Sequence, residues 1–470
     1  MKINLYIRVD GYSEIGLGHV YRCMSLADMV ENFFNITFVC KKIPNEVISL
    51  IKSANYSILL ISNEVEFLSL IQRKDFVLID GYDFNLEYQK IIKSKECKLI
   101  IIDDLHENKF YADLIINQNP AISEKDYTID SPVKFALGLD YVLLRRPFLN
   151  ATNFVRVVSE IKNVFICFGG ADKLNLTETT LVEVLKFSNF EEISVVTGSQ
   201  YKYRDKIESY CLKHNYVKHY NNITADEISD IMLKSDLGII PSSGIVLETL
   251  ACKMNIISGK YADNQKLLFK YLSENKLITS ANNFSKEDIN AALLEVINKP
   301  INSNNVIDGK SPFRIFCIFL DLACNIRLAN LNDIELLFNW ANDITVRKNS
   351  INKDIILQDN HTKWFSSKVK SNNTLIYILE VFENPVGQIR YDFNEEHWEI
   401  DYSIDRNYQG MGLGKYILSK SLLQFKNTTI KGNILSTNIS SIKAFLSVGF
   451  KYCDSFTCNN ELYHSYFLNN

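Results

Sequence analysis

The chain has 470 residues, which at about 100 to 200 residues per domain implies two or three domains. With 47% hydrophobic and 23% charged residues it is composed like an ordinary globular protein, and 18 Gly with 8 Pro leave no room for a collagenous or linker-dominated chain. Fifty-one Lys and Arg against 55 Asp and Glu give a net charge of −4, so no broad basic field exists to attract nucleic acid or an anionic membrane.

The N-terminus meets charge at Lys2, Arg8 and Asp10 before a signal peptide could build its apolar region. No stretch approaches the roughly 18 to 20 apolar residues of a membrane span; Phe313 to Cys324 is broken by Arg314 and Asp321, as in an amphipathic helix. A cytoplasmic protein is expected. Its ten cysteines lie mostly in apolar runs such as Phe165-Ile166-Cys167-Phe168 and read as reduced core residues. No Cys-x-x-Cys occurs, and Cys453 with Cys458 lacks a second Cys or His pair, so no metal is expected.

From Ile3 to about Ser258, β-branched runs predict strands at 4–9, 36–40, 76–79, 98–102, 164–168, 193–196, 237–240 and 255–257, with helical segments between them. Strands buried on both faces and alternating with helices mean parallel, doubly wound sheets. The rhythm stops around Arg145-Arg146-Pro147-Phe148 and restarts at Asn163, which divides the region into two Rossmann-like α/β lobes, about 1–150 and 155–300, facing each other across a cleft. Ligands bind such sheets at the carboxyl ends of the strands.

At the first of these ends stands Asp10-Gly11-Tyr12-Ser13-Glu14-Ile15-Gly16-Leu17-Gly18-His19, opening a helical stretch. Gly16 and Gly18 let backbone N–H groups approach an anion at a helix start; a tight βα turn needs the same glycines. His19 is placed to act as a general base near neutral pH, or sits in the core. Asp80-Gly81-Tyr82 follows the strand 76–79. In the second lobe come Gly169-Gly170-Ala171-Asp172 with Asn175, and Pro241-Ser242-Ser243-Gly244 leading to Glu248. Ser242 and Ser243 can donate to phosphate and Glu248 can accept from ribose hydroxyls.

A polar stretch, 298–311, precedes Ser311-Pro312, which opens a closing helix at 311–323. The pattern then changes. A strand near Ile326 leads to helices at 333–341 and near 361–370, then strands at 374–381, 384–393 and 396–404. Next comes Gln409-Gly410-Met411-Gly412-Leu413-Gly414-Lys415, opening a helix at about 412.

The set Gly-x-Gly-His, Asp-x-Tyr, Gly-Gly-x-Asp, Ser-Ser-x-x-x-x-Glu, Asn264-Gln265, Asp308-Gly309-Lys310 and Arg314 resembles the UDP-sugar hydrolases of pseudaminic acid biosynthesis, over 1–322. The resemblance implies the two-lobed glycosyltransferase architecture (GT-B-like), metal-free hydrolysis of UDP-2,4-diacetamido-2,4,6-trideoxy-β-L-altropyranose, His19 as the base for water and Tyr82 assisting at the sugar. Gly16, Gly18, Gly170, Asp172, Ser242, Ser243 and Glu248 would hold UDP, and Asn264 and Gln265 would border the sugar. Residue 81, polar in some relatives, is Gly here.

Gln409 to Lys415, with Asn438-Ile439-Ser440-Ser441 and Gly449-Phe450, looks like the pyrophosphate loop and following segment of the GNAT N-acetyltransferases, an α+β domain over 325–470. The resemblance implies acetyl-CoA as cosubstrate, held by residues 409–415 and Asn438. It also implies an acid on the preceding strand that deprotonates the amine: Glu399, with Asp401 second. An outward-pointing Glu399 on an alternating strand is the plainer reading. The Tyr that usually protonates the thiolate is Phe445 here. Asn339-Trp340-Ala341-Asn342, Val346-Arg347, His361 and Trp364-Phe365 resemble the acetyltransferase of the same pathway, which acts on the 4-amino group of UDP-4-amino-4,6-dideoxy-N-acetyl-β-L-altrosamine. The expected partners are therefore a UDP-linked amino sugar and acetyl-CoA. The rival readings are a glycosyltransferase fused to a ribosomal-type protein acetyltransferase, and a degenerate CoA-binding module.

Overall fold

A computed structural model describes residues 2–12, 16–106, 109–158, 160–187, 190–298 and 305–469. Ser13, Glu14 and Ile15 of the first glycine loop, and 299–304 of the polar stretch, lie outside the described residues. The chain falls into two compact units, Ile3–Phe316 and a second from Cys317 to the C-terminus.

The first unit holds two parallel sheets. Seven strands form the first, in the spatial order Ser57–Leu60, Phe34–Cys40, Ile3–Val9, Phe76–Asp80, Lys98–Ile102, Leu114–Asn117, Lys134–Leu137. Six form the second: Val217–Asn221, Glu192–Thr197, Asn163–Cys167, Leu237–Pro241, Asn255–Gly259, Thr279–Ser280. In each, the first strand in sequence is flanked by the second and by a later one, so successive crossovers run in opposite directions from it. A crevice therefore opens at the carboxyl ends of Ile3–Val9 and Phe76–Asp80, and again at those of Asn163–Cys167 and Leu237–Pro241. The central strands read as continuous apolar runs because helices cover both faces: Leu5, Ile7, Val9, Val77 and Leu78 have no exposure, nor do Val164, Phe165 and Ile166.

The segment after the first sheet is fastened to both lobes. Arg145 grips Glu248 on the helix Gly244–Ala251 and lies over the Tyr21 ring of the helix Gly18–Val30. Arg156 donates to the carbonyls of Met232, Leu233, Ser235 and Cys252.

The second unit is one seven-stranded sheet, in the order Cys324–Leu328, Thr374–Val381, Asn384–Phe393, Trp398–Ile404, Thr429–Leu435, Glu461–Asn469, Lys451–Cys458. All neighbours are antiparallel except Trp398–Ile404 and Thr429–Leu435, which run parallel and pair only at Trp398/Ile430 and Glu399/Lys431. Beyond that point the two strands part and leave a wedge. Helices Ile334–Ala341 and Gln358–Lys368 cover Ile376 and Ile378 through Leu337, Trp340 and Phe365. The expected closing helix is shorter than read, Ser311–Leu320. All ten cysteines are free, but of the core positions expected for them only Cys23, Cys40, Cys97, Cys167 and Cys252 are buried; Cys211, Cys317, Cys324 and Cys458 are half-buried and Cys453 is exposed on the outermost strand.

Candidate active sites

The helix Gly18–Val30 starts at the crevice of the first sheet, so His19 stands at the carboxyl end of the central strands, 7% exposed. Its Nδ1 lies 2.6 Å from Oδ1 of Asp80, the last residue of Phe76–Asp80. Burial pushes the Asp80 carboxyl up, but the charge and hydrogen bonds of Arg22, with help from His19, outweigh it and hold the group down at about 2. Asp80 is therefore an anion at neutral pH. A contact of 2.6 Å to an anionic oxygen requires the proton on Nδ1, which leaves the lone pair on Nε2. Among the described residues Nε2 has no hydrogen-bond partner. This is the arrangement of a base oriented by a carboxylate.

Arg22, one turn along the same helix face, donates Nε and Nη2 to Asp80 at 2.6 Å each and Nη1 to Asp104 Oδ1 at 2.6 Å. Tyr82 packs edge-on against the His19 ring at 5.1 Å, and its hydroxyl lies 3.4 Å from Asp104 Oδ2. Burial first, then the Asp104 charge, pushes the Tyr82 phenol up to about 12, so it is a hydrogen-bond donor across the working pH range. Arg22 and Asp104 were absent from the expected set, and Asp80 was marked only as the first residue of the Asp-x-Tyr turn. The i, i+3 spacing of His19 and Arg22 is the signal that was available for one of them.

The second lobe sorts its expected residues. Gly16 and Gly18, in the first lobe, and Gly169 and Gly170 are exposed, and a Cβ on Gly16, Gly18, Gly169 or Gly170 would meet nothing within 4 Å, so all four leave room for a ligand to reach the backbone. Asp172 is buried, with its carboxylate engaged by the backbone that follows. Its two oxygens accept from Leu176 N at 3.0 Å and Thr177 N at 2.8 Å, capping the helix Leu176–Val184. Ser242 is also turned inward: it is 1% exposed, and its hydroxyl shares a hydrogen bond with Ser258 at 2.8 Å. Ser243 is half-buried at the start of the helix Gly244–Ala251 and caps nothing there. Glu248 is held by Arg145, Nε to Oε1 and Nη2 to Oε2, both at 2.8 Å, each oxygen keeping a lone pair. Asn264 is exposed, whereas Gln265 is buried and accepts from Tyr261 N at 3.0 Å to brace its own loop. A 470 Å³ cavity lies between Asp28, Arg146, Asn150 and the Asp308-Gly309-Lys310 motif, toward the other end of the helix that carries His19; none of the residues expected to hold UDP or the sugar lines it.

In the second unit, Gly410 (φ 78°) and Gly412 (φ 80°) adopt left-handed backbone and turn the chain into the helix Leu413–Ser421. Gln409 Nε2 donates to Ile404 O at 3.0 Å, closing the loop, while Gly410 is exposed and Met411, Gly414 and Lys415 are half-buried. The side chain of Leu413 is in the core, 1% exposed, so only its backbone can face a ligand. Asn438 caps the helix Ile439–Ser447 by accepting from Ser441 N at 3.2 Å. Phe445 is 2% exposed and packs at the point of the wedge: a Cβ on Gly432 would lie 2.3 Å from its ring. The Tyr402 hydroxyl reaches Ser441 Oγ at 3.1 Å beside it. Glu399 is exposed and paired with Asn394 Nδ2 at 3.3 Å, on the face that also carries Arg390 and Asp401. Among the described residues no three His, Cys, Asp or Glu side chains gather as a metal site, and no helix is long and apolar enough to cross a membrane.

Residues 324–451 match the family model of the acetyltransferase (GNAT) domain. The region before it matches the UDP-2,4-diacetamido-2,4,6-trideoxy-beta-L-altropyranose hydrolase of Campylobacter jejuni, 27% identical over 278 residues, which is 58% of this chain and 97% of the hydrolase. Across both regions the chain is 28% identical over 493 residues to "Uncharacterized protein MJ1062" of Methanocaldococcus jannaschii, covering 96% of this chain and 97% of that protein. Among solved structures, spermidine N-acetyltransferase from Vibrio cholerae, in complex with CoA and spermine, aligns with 31% of this chain and 95% of its own at 13% identity and a TM-score of 0.29. The chain thus joins Rossmann-like lobes similar to a UDP-sugar hydrolase to a GNAT acetyltransferase domain.

Proposed function

We propose that the chain is a bifunctional sugar-nucleotide enzyme. The GNAT domain transfers acetyl from acetyl-CoA to the 4-amino group of UDP-4-amino-4,6-dideoxy-N-acetyl-β-L-altrosamine, and the N-terminal lobes then hydrolyse the product to UDP and 2,4-diacetamido-2,4,6-trideoxy-L-altrose without a metal. The observation that carries the reading is His19, oriented by Asp80 at a crevice whose glycine turns are open, on the same chain as an acetyltransferase domain.

In the hydrolase, Nε2 of His19 takes a proton from water as the water oxygen bonds to the anomeric carbon. The carbon–oxygen bond to the diphosphate breaks and UDP leaves with the electron pair. The N–H groups of the Gly169–Gly170 turn and of Gly244 at the helix start, with the Ser243 hydroxyl, receive the developing charge, so no acid is needed on the leaving side. Tyr82, its proton facing Asp104, assists at the sugar by accepting from a sugar hydroxyl. Glu248, steadied by Arg145, accepts from the ribose, and Asn264 borders the sugar.

In the acetyltransferase, backbone N–H groups of residues 409–415 hold the CoA diphosphate at the start of the helix Leu413–Ser421, with Asn438 beside the pantetheine arm. The wedge beyond Glu399/Lys431 admits that arm and frees strand N–H groups to polarise the thioester. Glu399 accepts the amine proton through water as the amine nitrogen bonds to the thioester carbon; the carbon–sulfur bond breaks and CoA leaves as the thiolate, which takes its proton from water. Phe445 favours a second reading for this domain, a module that binds CoA without turnover.

His19→Asn separates the activities. A general base contributes about 10²- to 10⁴-fold, so UDP release should fall by that factor while acetylation of the UDP-amino sugar continues. Near wild-type hydrolysis in this variant removes His19 from the reaction.

A further inference from the structure

Asp80 ends the strand Phe76–Asp80 and Asp104 follows its parallel neighbour Lys98–Ile102, and one guanidinium lies between them. Arg22 holds Asp80 with two hydrogen bonds and one oxygen of Asp104 with a third; the other oxygen of Asp104 faces the Tyr82 hydroxyl. Arg22 Nη2 also lies 3.0 Å from His19 Nδ1. Both nitrogens carry hydrogen, so both point their protons at the same Asp80 oxygen.

Charge counting gives this geometry a consequence. With neutral imidazole, Asp80, Arg22 and Asp104 sum to −1, and a proton on His19 brings the cluster to zero. Without Asp104, Arg22 would cancel Asp80 and the imidazolium would stand unbalanced beside a guanidinium. The other groups around His19 do not alter the count. The Cys23 thiol, 3.4 Å from Asp80, is held neutral by burial and by Asp80, and Tyr82 stays protonated.

We infer that Asp104 is a positioning residue of the hydrolase: it supplies the second negative charge that lets His19 accept a proton beside Arg22, and it accepts from the Tyr82 hydroxyl, which keeps that ring edge-on to His19. The inference rests on His19 being the base, as proposed above.

Asp104→Asn keeps the size and removes the charge. With the UDP-diacetamido sugar, kcat should fall about tenfold with KM within twofold, and the acid limb of kcat/KM should move down by about one pH unit. Asp104→Glu should restore most of both. Histidine-selective NMR needs no substrate: the signal that His19→Asn removes should titrate at lower pH in Asp104→Asn than in the unsubstituted protein. If the NMR shift is seen but the unsubstituted chain releases no UDP, the charge coupling stands and the hydrolase reading falls. Unchanged kcat with an unmoved acid limb overturns the inference. So do equal losses in the Asn and Glu variants, or an Asp104→Asn protein that melts far below the unsubstituted one, since each marks Asp104 as structural.

Discussion

Gly198 and Gly170 approach so closely that a Cβ on Gly198 would lie 2.5 Å from the Cα of Gly170 and 2.6 Å from its carbonyl oxygen. The end of the strand Glu192–Thr197 therefore buttresses the Gly169–Gly170 turn, and that support exists only while residue 198 lacks a side chain. Gly198→Ala must push the turn away from its present place, because the atoms met are backbone. UDP affinity, measured by titration calorimetry, should fall about tenfold, the loss of one or two well-placed hydrogen bonds, while acetyl-CoA affinity stays unchanged. Equal UDP affinity in the variant would detach this turn from the nucleotide.

Asp80 gives a pH-dependent prediction. Its carboxyl is held at about 2 in the folded chain against 3.8 for a free group, so its ionised form stabilises the fold fully above pH 3.8 and loses that effect as pH falls through 2. Asp80→Asn leaves Arg22 short of an anion in a buried place and should cost about 3 kcal/mol at pH 7. The gap in melting temperature between variant and unsubstituted protein should be widest at neutral pH and shrink between pH 4 and pH 2. A constant gap over that range would show that charge is not what Asp80 contributes.

The parallel strands with unbroken apolar runs were legible because helices bury them on both sides: Ile3–Val9, Phe76–Asp80 and Asn163–Cys167 announce themselves by composition. Val217–Asn221 was missed because it is an edge strand with Lys218 exposed and His219, Tyr220 and Asn221 half-buried. Leu114–Asn117 was not read as a strand, although Leu114-Ile115-Ile116 is a fully buried apolar run of the same kind as Phe76–Ile79. The sites divide in the same way. His19, Tyr82 and Gly412 sit in glycine turns that a local pattern marks. Asp172 and Ser242 sit in such turns too, yet their polar atoms serve the fold, one at a helix start and one inside the sheet. Asp104 meets Arg22 across 82 residues of chain, a contact that only the folding of the first sheet creates.

The wedge of the second unit depends on a small residue at its point. A Cβ on Gly432 would lie 2.3 and 2.8 Å from the Phe445 ring and 2.9 Å from Ile400 Cγ2. Phe445 is buried and cannot yield freely, so Gly432→Ala should destabilise this unit by about 1 to 3 kcal/mol. Acetyl-CoA binding should weaken as the strands shift, while UDP release from the fully acetylated substrate stays as before. A variant with unchanged melting and unchanged acetyl-CoA affinity would show that the ring repacks without cost.

The order of the two reactions is the central claim, and UDP release from the 4-amino substrate tests it most directly. On the proposed reading a hydrolase site that takes two acetamido groups would meet an ammonium in this substrate, and an unpaired charge is costly to desolvate there. UDP should appear slowly from UDP-4-amino-4,6-dideoxy-N-acetyl-β-L-altrosamine alone and at least tenfold faster once acetyl-CoA is added, each factor of ten corresponding to about 1.4 kcal/mol. Gly412→Trp, which places a side chain on a left-handed residue in the pyrophosphate loop, should abolish that acceleration and leave hydrolysis of the diacetamido substrate intact. UDP released equally fast with and without acetyl-CoA would contradict both the order and the assigned hydrolase substrate.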